Sequence, residues 1–414
     1  MRQVTAILIG AGQRGADVYA GYALNFPNEF KIVGVAEPRE ERLQEFQVLH
    51  HIPEEHCFHD YREILSQPKM ADCAMICTQD NMHFLPVKMA AEKGYHILCE
   101  KPMSSDPEEL RAMGEIARAH DRVLSICHVL RYSPFFMEIK KLLESGRIGD
   151  LVSIQHIESV GYWHMAHSFV RGNWNSKERS SAIILQKCCH DMDILSWLVG
   201  SDCRRVSSFG NLSHFNKEHA PEGAPKRCLD GCDFRDACPF YAPRFYLEHP
   251  KAMTDGFARV VSADTSREAL LAELETGPYG RCVYHCDNDV VDHQVVNLEY
   301  NNGVTVNFTM SAFTKNCERV IDLMGSKGQI RGNMEENIIE VLDFVSGNKE
   351  VIHLHVPDSG HSGSDVTMMR EFVKLIALDG KGDNRNDANQ AIASHLIALA
   401  AEESRVNKGK VVEL

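Results

Sequence analysis

The stretch Val4–Gly15, VTAILIGAGQRG, decides how the rest of the chain is read. An uncharged run rich in aliphatic and β-branched side chains leads straight into Gly10-Ala11-Gly12-Gln13-Arg14-Gly15. The run reads as a strand buried on both faces, and the glycines as a turn that opens a helix. The pattern fits G-x-G-x-x-G, in which each glycine has a physical task. Gly10 permits the tight turn, Gly12 lets backbone approach a pyrophosphate, and Gly15 allows close helix–strand packing. Gln13 and Arg14 fill the variable places, at a helix N-terminus whose partial positive charge suits phosphates. The next strand-like run, KIVGVAE, ends in Glu37, about twenty residues beyond the last glycine. A carboxylate there accepts hydrogen bonds from ribose hydroxyls and repels a 2′-phosphate. NAD is the expected cofactor, and Arg39, two residues on, leaves NADP as the less favoured one.

Around this unit the first part of the chain alternates regularly. ADCAMICT, YHILCE and RVLSICH are further short apolar runs, separated by helix-like segments such as DPEELRAMGEIARAH. Alternation of this kind implies a parallel sheet with helices on both faces. The expected architecture is α/β, with an N-terminal Rossmann dinucleotide-binding domain over residues 1–130. After Arg131 the pattern changes to polar/apolar alternation, as in DLVSIQHIESV, HQVVNLEY and GVTVNFTM. That suits a mostly antiparallel sheet with one packed and one free face. Asn302-Gly303 marks a hairpin between the last two runs. Residues 131–414 are expected to form the substrate-binding and oligomerisation domain, with a Cys-rich insertion at about 211–290. A sheet with a free face needs cover, so a homo-oligomer, dimer or tetramer, is expected.

The second informative stretch is CEKP, Cys99–Pro102. Ligands of parallel sheets bind beyond the carboxyl ends of the strands. TQDNMH, with Thr78 and His83, and EKP, with Glu100 and Lys101, both follow strands at that edge. All four are candidate cofactor contacts, and Lys101 falls on the nicotinamide side of the crevice. The chain carries 58 acidic against 44 basic side chains, which argues against a nucleic-acid partner. No apolar run is long enough for a membrane span, and the N-terminal run reads as a strand rather than a signal peptide. A cytoplasmic protein is expected.

GAGQRG at the start, EKP after a later strand, RYSPFFMEIKKLLESGRIGDL at the domain junction and His190-x-x-Asp193 downstream occur together. In these motifs the chain resembles the glucose–fructose oxidoreductase/inositol dehydrogenase (Gfo/Idh/MocA) family. The resemblance implies hydride transfer to or from a carbon of a sugar or cyclitol. It also implies that Lys101 and His190 handle the hydroxyl proton. Asp193, three residues on from His190, lies on the same helix face and is placed to orient the imidazole. Many members carry an aspartate four residues before this histidine. Here that position is Gln186, followed by Lys187, a second cation able to depress the pKa of Lys101. The expectation is Lys101 as general base, with Lys187 and His190 as catalytic binding or proton-relay groups.

GYWHMAHSFVRGNWN combines aromatic faces with planar donors, as a sugar's CH faces and hydroxyls require. His164, His167, Arg171, Trp174 and Asn175 are expected in the substrate wall, with His190, Asp193, Lys187 and His293 contributing. Thiols cluster in the insertion as Cys228, Cys232, Cys238 and Cys286, which suggests a structural zinc site. The leading reading is an NAD-dependent oxidoreductase acting on a secondary hydroxyl of a carbohydrate. Redox-neutral glycoside cleavage with retained NAD, and a non-catalytic NAD-binding sensor or assembly subunit, are the alternatives. The loss of the acidic residue at Gln186 favours the sensor, whereas Lys101 and His190 favour an enzyme.

Overall fold

The computed structural model describes residues 2–254, 256–356 and 363–414. Its first sheet contains β1 (Val4–Ile9), β2 (Phe30–Ala36), β3 (Cys57–Phe58), β4 (Cys73–Ile76), β5 (His96–Cys99) and β6 (Leu124–Ile126). All are parallel, in the order β3-β2-β1-β4-β5-β6. This is the doubly wound dinucleotide-binding arrangement, with its crevice where the order reverses between β1 and β4. The strands β1, β4 and β5 are nearly all apolar and buried, as burial on both faces demands.

The second sheet has nine strands: β7 (Leu151–Ser159), β8 (Cys203–Asn211), β9 (His293–Tyr300), β10 (Thr305–Ser311), β11 (Glu318–Gly325), β12 (Gly328–Asn333), β13 (Ile338–Asp343), β14 (Lys349–His353) and β15 (Val412–Glu413). Among the described residues β7 and β10 pair in parallel and the other pairings of this sheet are antiparallel. The alternation read from the sequence appears directly in burial: Val296, Leu298, Val306 and Phe308 point inward while Val295, Asn297 and Asn307 do not. β9 and β10 turn about Asn302-Gly303, with Gly303 at φ +86°, where a side chain would be strained. Residues 212–292 leave the sheet after β8 and return at β9.

Helix starts are capped as their side-chain chemistry allows. Ser133 accepts from Phe136 N and Asp106 from Glu108 N at the starts of their helices. In the first turn of the helix that Asp106 caps, Glu109 accepts from Ser104 Oγ at 2.6 Å.

The chain does not leave the first domain for good at residue 130. The helix Ser364–Ala377 packs Met368, Met369, Phe372, Val373 and Ile376 with Val4, Leu8 and Phe30 in one core cluster. The helix Ala388–Val406 divides its burial between two clusters. Ala388 and Ala391 join the first domain, and Ile397, Ala398 and Ala401 join the second. No helix among the described residues is long and apolar enough to cross a membrane.

Candidate active site

The glycine loop forms as its residues require. Gly10 has φ +92°, and a Cβ there would stand 2.5 Å from the Cys77 carbonyl oxygen. A Cβ on Gly15 would meet the Gly10 carbonyl oxygen at 2.3 Å, so both positions exclude a side chain. At Gly12 a Cβ would meet nothing nearer than Arg42 Nη1 at 3.9 Å, which leaves its backbone open to a ligand. Gln13 is exposed beyond it. Glu37, almost fully buried at the end of β2, accepts from Ala11 N at 2.8 Å. Its other oxygen accepts from Arg39 N and Nε at 3.2 and 2.8 Å. Arg42, which the sequence reading passed over, is a second guanidinium beside Arg39 and Glu37, and burial and Arg39 lower its pKa. This donor set fits a dinucleotide: an open glycine backbone, a helix N-terminus and an acid at the ribose position.

Glu100 joins this loop to Lys101. One carboxylate oxygen accepts from Arg14 Nε at 2.9 Å and from the Tyr19 hydroxyl; the other accepts from Lys101 N at 2.8 Å. Arg14 also reaches Asp365 at 2.7 Å and Tyr19 Oη at 2.5 Å. Burial pushes the Glu100 pKa up, but Arg14 and Lys101 pull harder and leave it below the usual carboxylate range. Arg14 and Glu100 thus carry charge under the loop. His83 ties the two neighbouring loops, its ring nitrogens lying 2.8 Å from the Pro102 oxygen and 3.1 Å from the Thr78 oxygen.

Lys101 projects across the interdomain cleft, where its Nζ donates to the Gln186 carbonyl at 3.0 Å. Gln186 therefore meets the lysine through its backbone. The carboxylate that this position lacks stands on another element. Glu158, at the end of β7, pairs with Lys187 at 3.0 Å and with Arg319 at 2.9 Å. Arg319 continues to Asp191 at 2.9 Å, and Asp191 to His156 at 2.8 Å. Burial lowers the Lys187 pKa, yet Glu158 outweighs it and raises the value, so Lys187 is a fixed cation.

His190 opens the helix Cys189–Val199. Its ring meets that of His128 edge to face at 5.6 Å, and His128 meets His395 at 5.5 Å. Asp193, expected to orient His190, gives both oxygens to Arg131 at 2.7 Å each and approaches His128 Nε2 at 3.9 Å. It is the anchor of a buried arginine.

The aromatic segment divides. His164 stays near the cleft, where Lys187 and Lys101 bear on its ring. His167, Arg171 and Asn175 turn into the seam with the insertion. His167 binds the Tyr246 hydroxyl at 2.6 Å and stacks on Tyr279 at 4.7 Å. Arg171 is buried against the Arg281 and Phe240 carbonyls, 2.7 Å from each. Asn175 is held by Arg179 at 2.7 Å, and Trp174 packs on Phe169 at 5.9 Å. His167 and Arg171 are seam residues, because the insertion supplies their aromatic and carbonyl partners; Asn175 also reaches Asp287 there at 3.3 Å, while Trp174 packs within its own segment. His293 pairs with Asp292, which caps the Ser213–His214 backbone.

The zinc expectation is corrected. Among the described residues no group of three or more His, Cys, Asp or Glu side chains is arranged to hold a metal ion. Cys228 meets Arg171 Nη2 at 3.7 Å, Cys286 donates to the Cys282 carbonyl at 3.3 Å, and Cys232 and Cys238 are half-buried free thiols.

A glycine-loop Rossmann domain joined to an α/β domain defines a two-domain, dinucleotide-binding architecture. The sequence profile of the oxidoreductase family with an NAD-binding Rossmann fold matches residues 4–128. That of the family's C-terminal alpha/beta domain matches residues 140–414. The chain belongs to the Gfo/Idh/MocA oxidoreductase family. It is 22% identical to the oxidoreductase YteT of Bacillus subtilis (strain 168) over 373 residues, 84% of this chain and 83% of that one. It is 25% identical to the scyllo-inositol 2-dehydrogenase (NAD+) of the same organism over 210 residues, 51% of this chain and 58% of that one. An oxidoreductase from Agrobacterium radiobacter, solved with NAD+, L-tartaric acid and magnesium, superposes with a TM-score of 0.72 at 17% identity. That match covers 99% of this chain and 98% of the other.

The buried histidines predict an acid sensitivity. Burial, the largest cause in each, holds His128 at about 4 and His167 and His395 at about 3. Unfolded, each takes a proton near its ordinary pKa of about 6.5. Below that value the unfolded chain binds protons the folded chain refuses, so stability falls as pH drops from about 6.5 toward 4. The expected slope is about 1.4 kcal/mol per pH unit for each histidine. Urea unfolding at a series of pH values measures it, and His128→Gln is expected to remove one histidine's share, about 1.4 kcal/mol per pH unit.

Proposed function

We propose that this protein is an NAD-dependent oxidoreductase that interconverts a secondary alcohol and a ketone on a sugar, glycoside or cyclitol. The observation that carries the reading is Lys101. It leaves the carboxyl edge of the parallel sheet, has its backbone fixed by Glu100, and ends at the Gln186 carbonyl in the cleft. The bound nicotinamide supplies the hydride acceptor or donor. The Gly12 backbone and the helix N-terminus receive the pyrophosphate, and Glu37 receives the ribose hydroxyls. Lys101 takes the hydroxyl proton at Nζ during oxidation and returns it during reduction. His190, on the facing helix, binds the same hydroxyl or relays its proton. Lys187, neutralised by Glu158, is a binding group rather than a second base.

A neutral polyol fits better than a sugar acid. Arg171, the one arginine between Tyr162 and Asn175, is spent on carbonyls in the seam. A carboxylate substrate would want a bidentate guanidinium. The inositol dehydrogenases among the relatives agree with this substrate class. We also propose that a second copy covers the free face of the large sheet. Phe209, Val295 and Ile157 are exposed there and lie in one cross-strand row, joined through Thr309.

Lys101→Met is expected to abolish turnover while NAD affinity stays within a few-fold; near-full activity would make Lys101 a turn residue. His190→Ala is expected to cost about a hundredfold. The assay follows NADH absorbance and product mass over neutral glycosides, hexoses, cyclitols and uronic acids. Cleavage without net NADH would select the redox-neutral reading, and activity confined to uronic acids would refute the neutral-polyol assignment.

Fluorescence titration is expected to show tighter binding of NADH than of NADPH, and Glu37→Ser to narrow the gap. The reverse order would assign the site to Arg39 and Arg42. Sedimentation equilibrium is expected to give a dimer or tetramer, and Val295→Lys to shift it toward monomer.

A further inference from the structure

The loop after β7 is pinned to the loop before β11. Gly161 N donates to Thr314 Oγ1 at 3.0 Å, and Tyr162 N to the Thr314 carbonyl at 2.9 Å. Gly161 has φ +81°, and a Cβ there would stand 2.9 Å from Cys317 Sγ, so the loops meet where only glycine fits. This junction sets Cys317 against His164. The Cys317 thiol donates to the Val160 carbonyl at 2.6 Å, and its sulfur lies 3.6 Å from His164 Nδ1.

A thiol owns one hydrogen. With that hydrogen directed at Val160, the sulfur meets His164 only as an acceptor, and Nδ1 must carry the ring proton. The Val160 carbonyl also favours a donor at this ring. Cys317 is a thiol rather than a thiolate, since burial raises its pKa to about 12. The imidazole is neutral as well. Burial, then Lys187 and His167, hold its pKa well below the ordinary value, and Lys101 acts in the same direction. A neutral ring protonated at Nδ1 has its lone pair on Nε2, on the edge turned away from the junction. Nε2 makes no hydrogen bond among the described residues. Trp163, Phe169 and Phe257 flank the ring, with centroids 5.7, 5.8 and 5.4 Å away.

We propose that the Val160–Cys317 junction locks His164 as the neutral Nδ1–H tautomer, presenting Nε2 to the cleft as a fixed acceptor for a substrate hydroxyl. The inference rests on the hydroxylated substrate assigned above and adds a selection rule to it. A lone pair reads a free hydroxyl, which donates, and rejects an ether or oxo group at the same place. The acceptor lies in the field of Lys101 and Lys187, which disfavours its protonation.

The test uses the NAD-loaded full chain with its histidines labelled with the heavy nitrogen isotope. The His164 signals are those lost in His164→Gln. Long-range proton–nitrogen correlation is expected to show a neutral ring protonated at Nδ1 at neutral pH. An Nε2-protonated ring or an imidazolium overturns the proposal, and this readout needs no substrate, so it stands apart from any failure of the activity panel. Kinetics then use myo-inositol or methyl glucoside, as the panel selects. His164→Leu, which keeps bulk without an acceptor, is expected to raise KM about tenfold with kcat within about threefold. His164→Gln, whose amide oxygen replaces the lone pair, is expected to recover most of that loss with unchanged NAD affinity. An unchanged KM in His164→Leu overturns the acceptor role.

Discussion

The shared carboxylate of Glu100 is the interaction on which the rest of the site depends. It receives the glycine loop through Arg14, the first helix through Tyr19, and the backbone of its own neighbour Lys101. Burying a carboxylate is costly unless every lone pair is used. Here the oxygens are taken by groups from separate parts of the sheet edge, so the desolvation penalty is offset only in the assembled geometry. The loop expected to cradle the cofactor and the lysine expected to move the proton are thus fixed relative to one another.

The second domain answers with its own charge accounting. Lys187 and Arg319 sit opposite Glu158 and Asp191, and His156 closes the series. Gln186 in place of an acid, followed at once by Lys187, reads in the sequence as an uncompensated cation near Lys101. In the fold a carboxylate from β7 meets it, and Lys101 is left facing a backbone carbonyl. Charge that is missing at one sequence position has been restored from another element.

What was legible in the sequence was local. The glycine loop, the acid at the end of β2, the EKP turn and the hairpin at Asn302-Gly303 each depend on neighbours in the chain, and each formed. What was not legible depends on pairings between distant segments. Tyr19, Asp365, Glu158, Arg319 and His128 carry no motif, and they became visible only when the fold brought them to Arg14, Lys187 and His190. The partners of the aromatic segment were hidden for the same reason. His167, Arg171 and Asn175 have the chemistry of a sugar wall, but the insertion offered them nearer partners. The thiols share the insertion without forming a ligand set, since sequence spacing does not fix the direction of a side chain.

The return of the chain to its first domain bears on how the molecule is made. The helix Ser364–Ala377 closes the apolar side of a sheet whose first strand is Val4–Ile9, and its Asp365 completes the ring around Arg14. On the ribosome the nucleotide-binding half emerges first, with that flank bare and Arg14 short of one counter-ion. It waits through the synthesis of the whole second domain before residues 364–391 arrive to seal it. The core begun by the first strand is therefore completed by one of the last segments of the chain to be made.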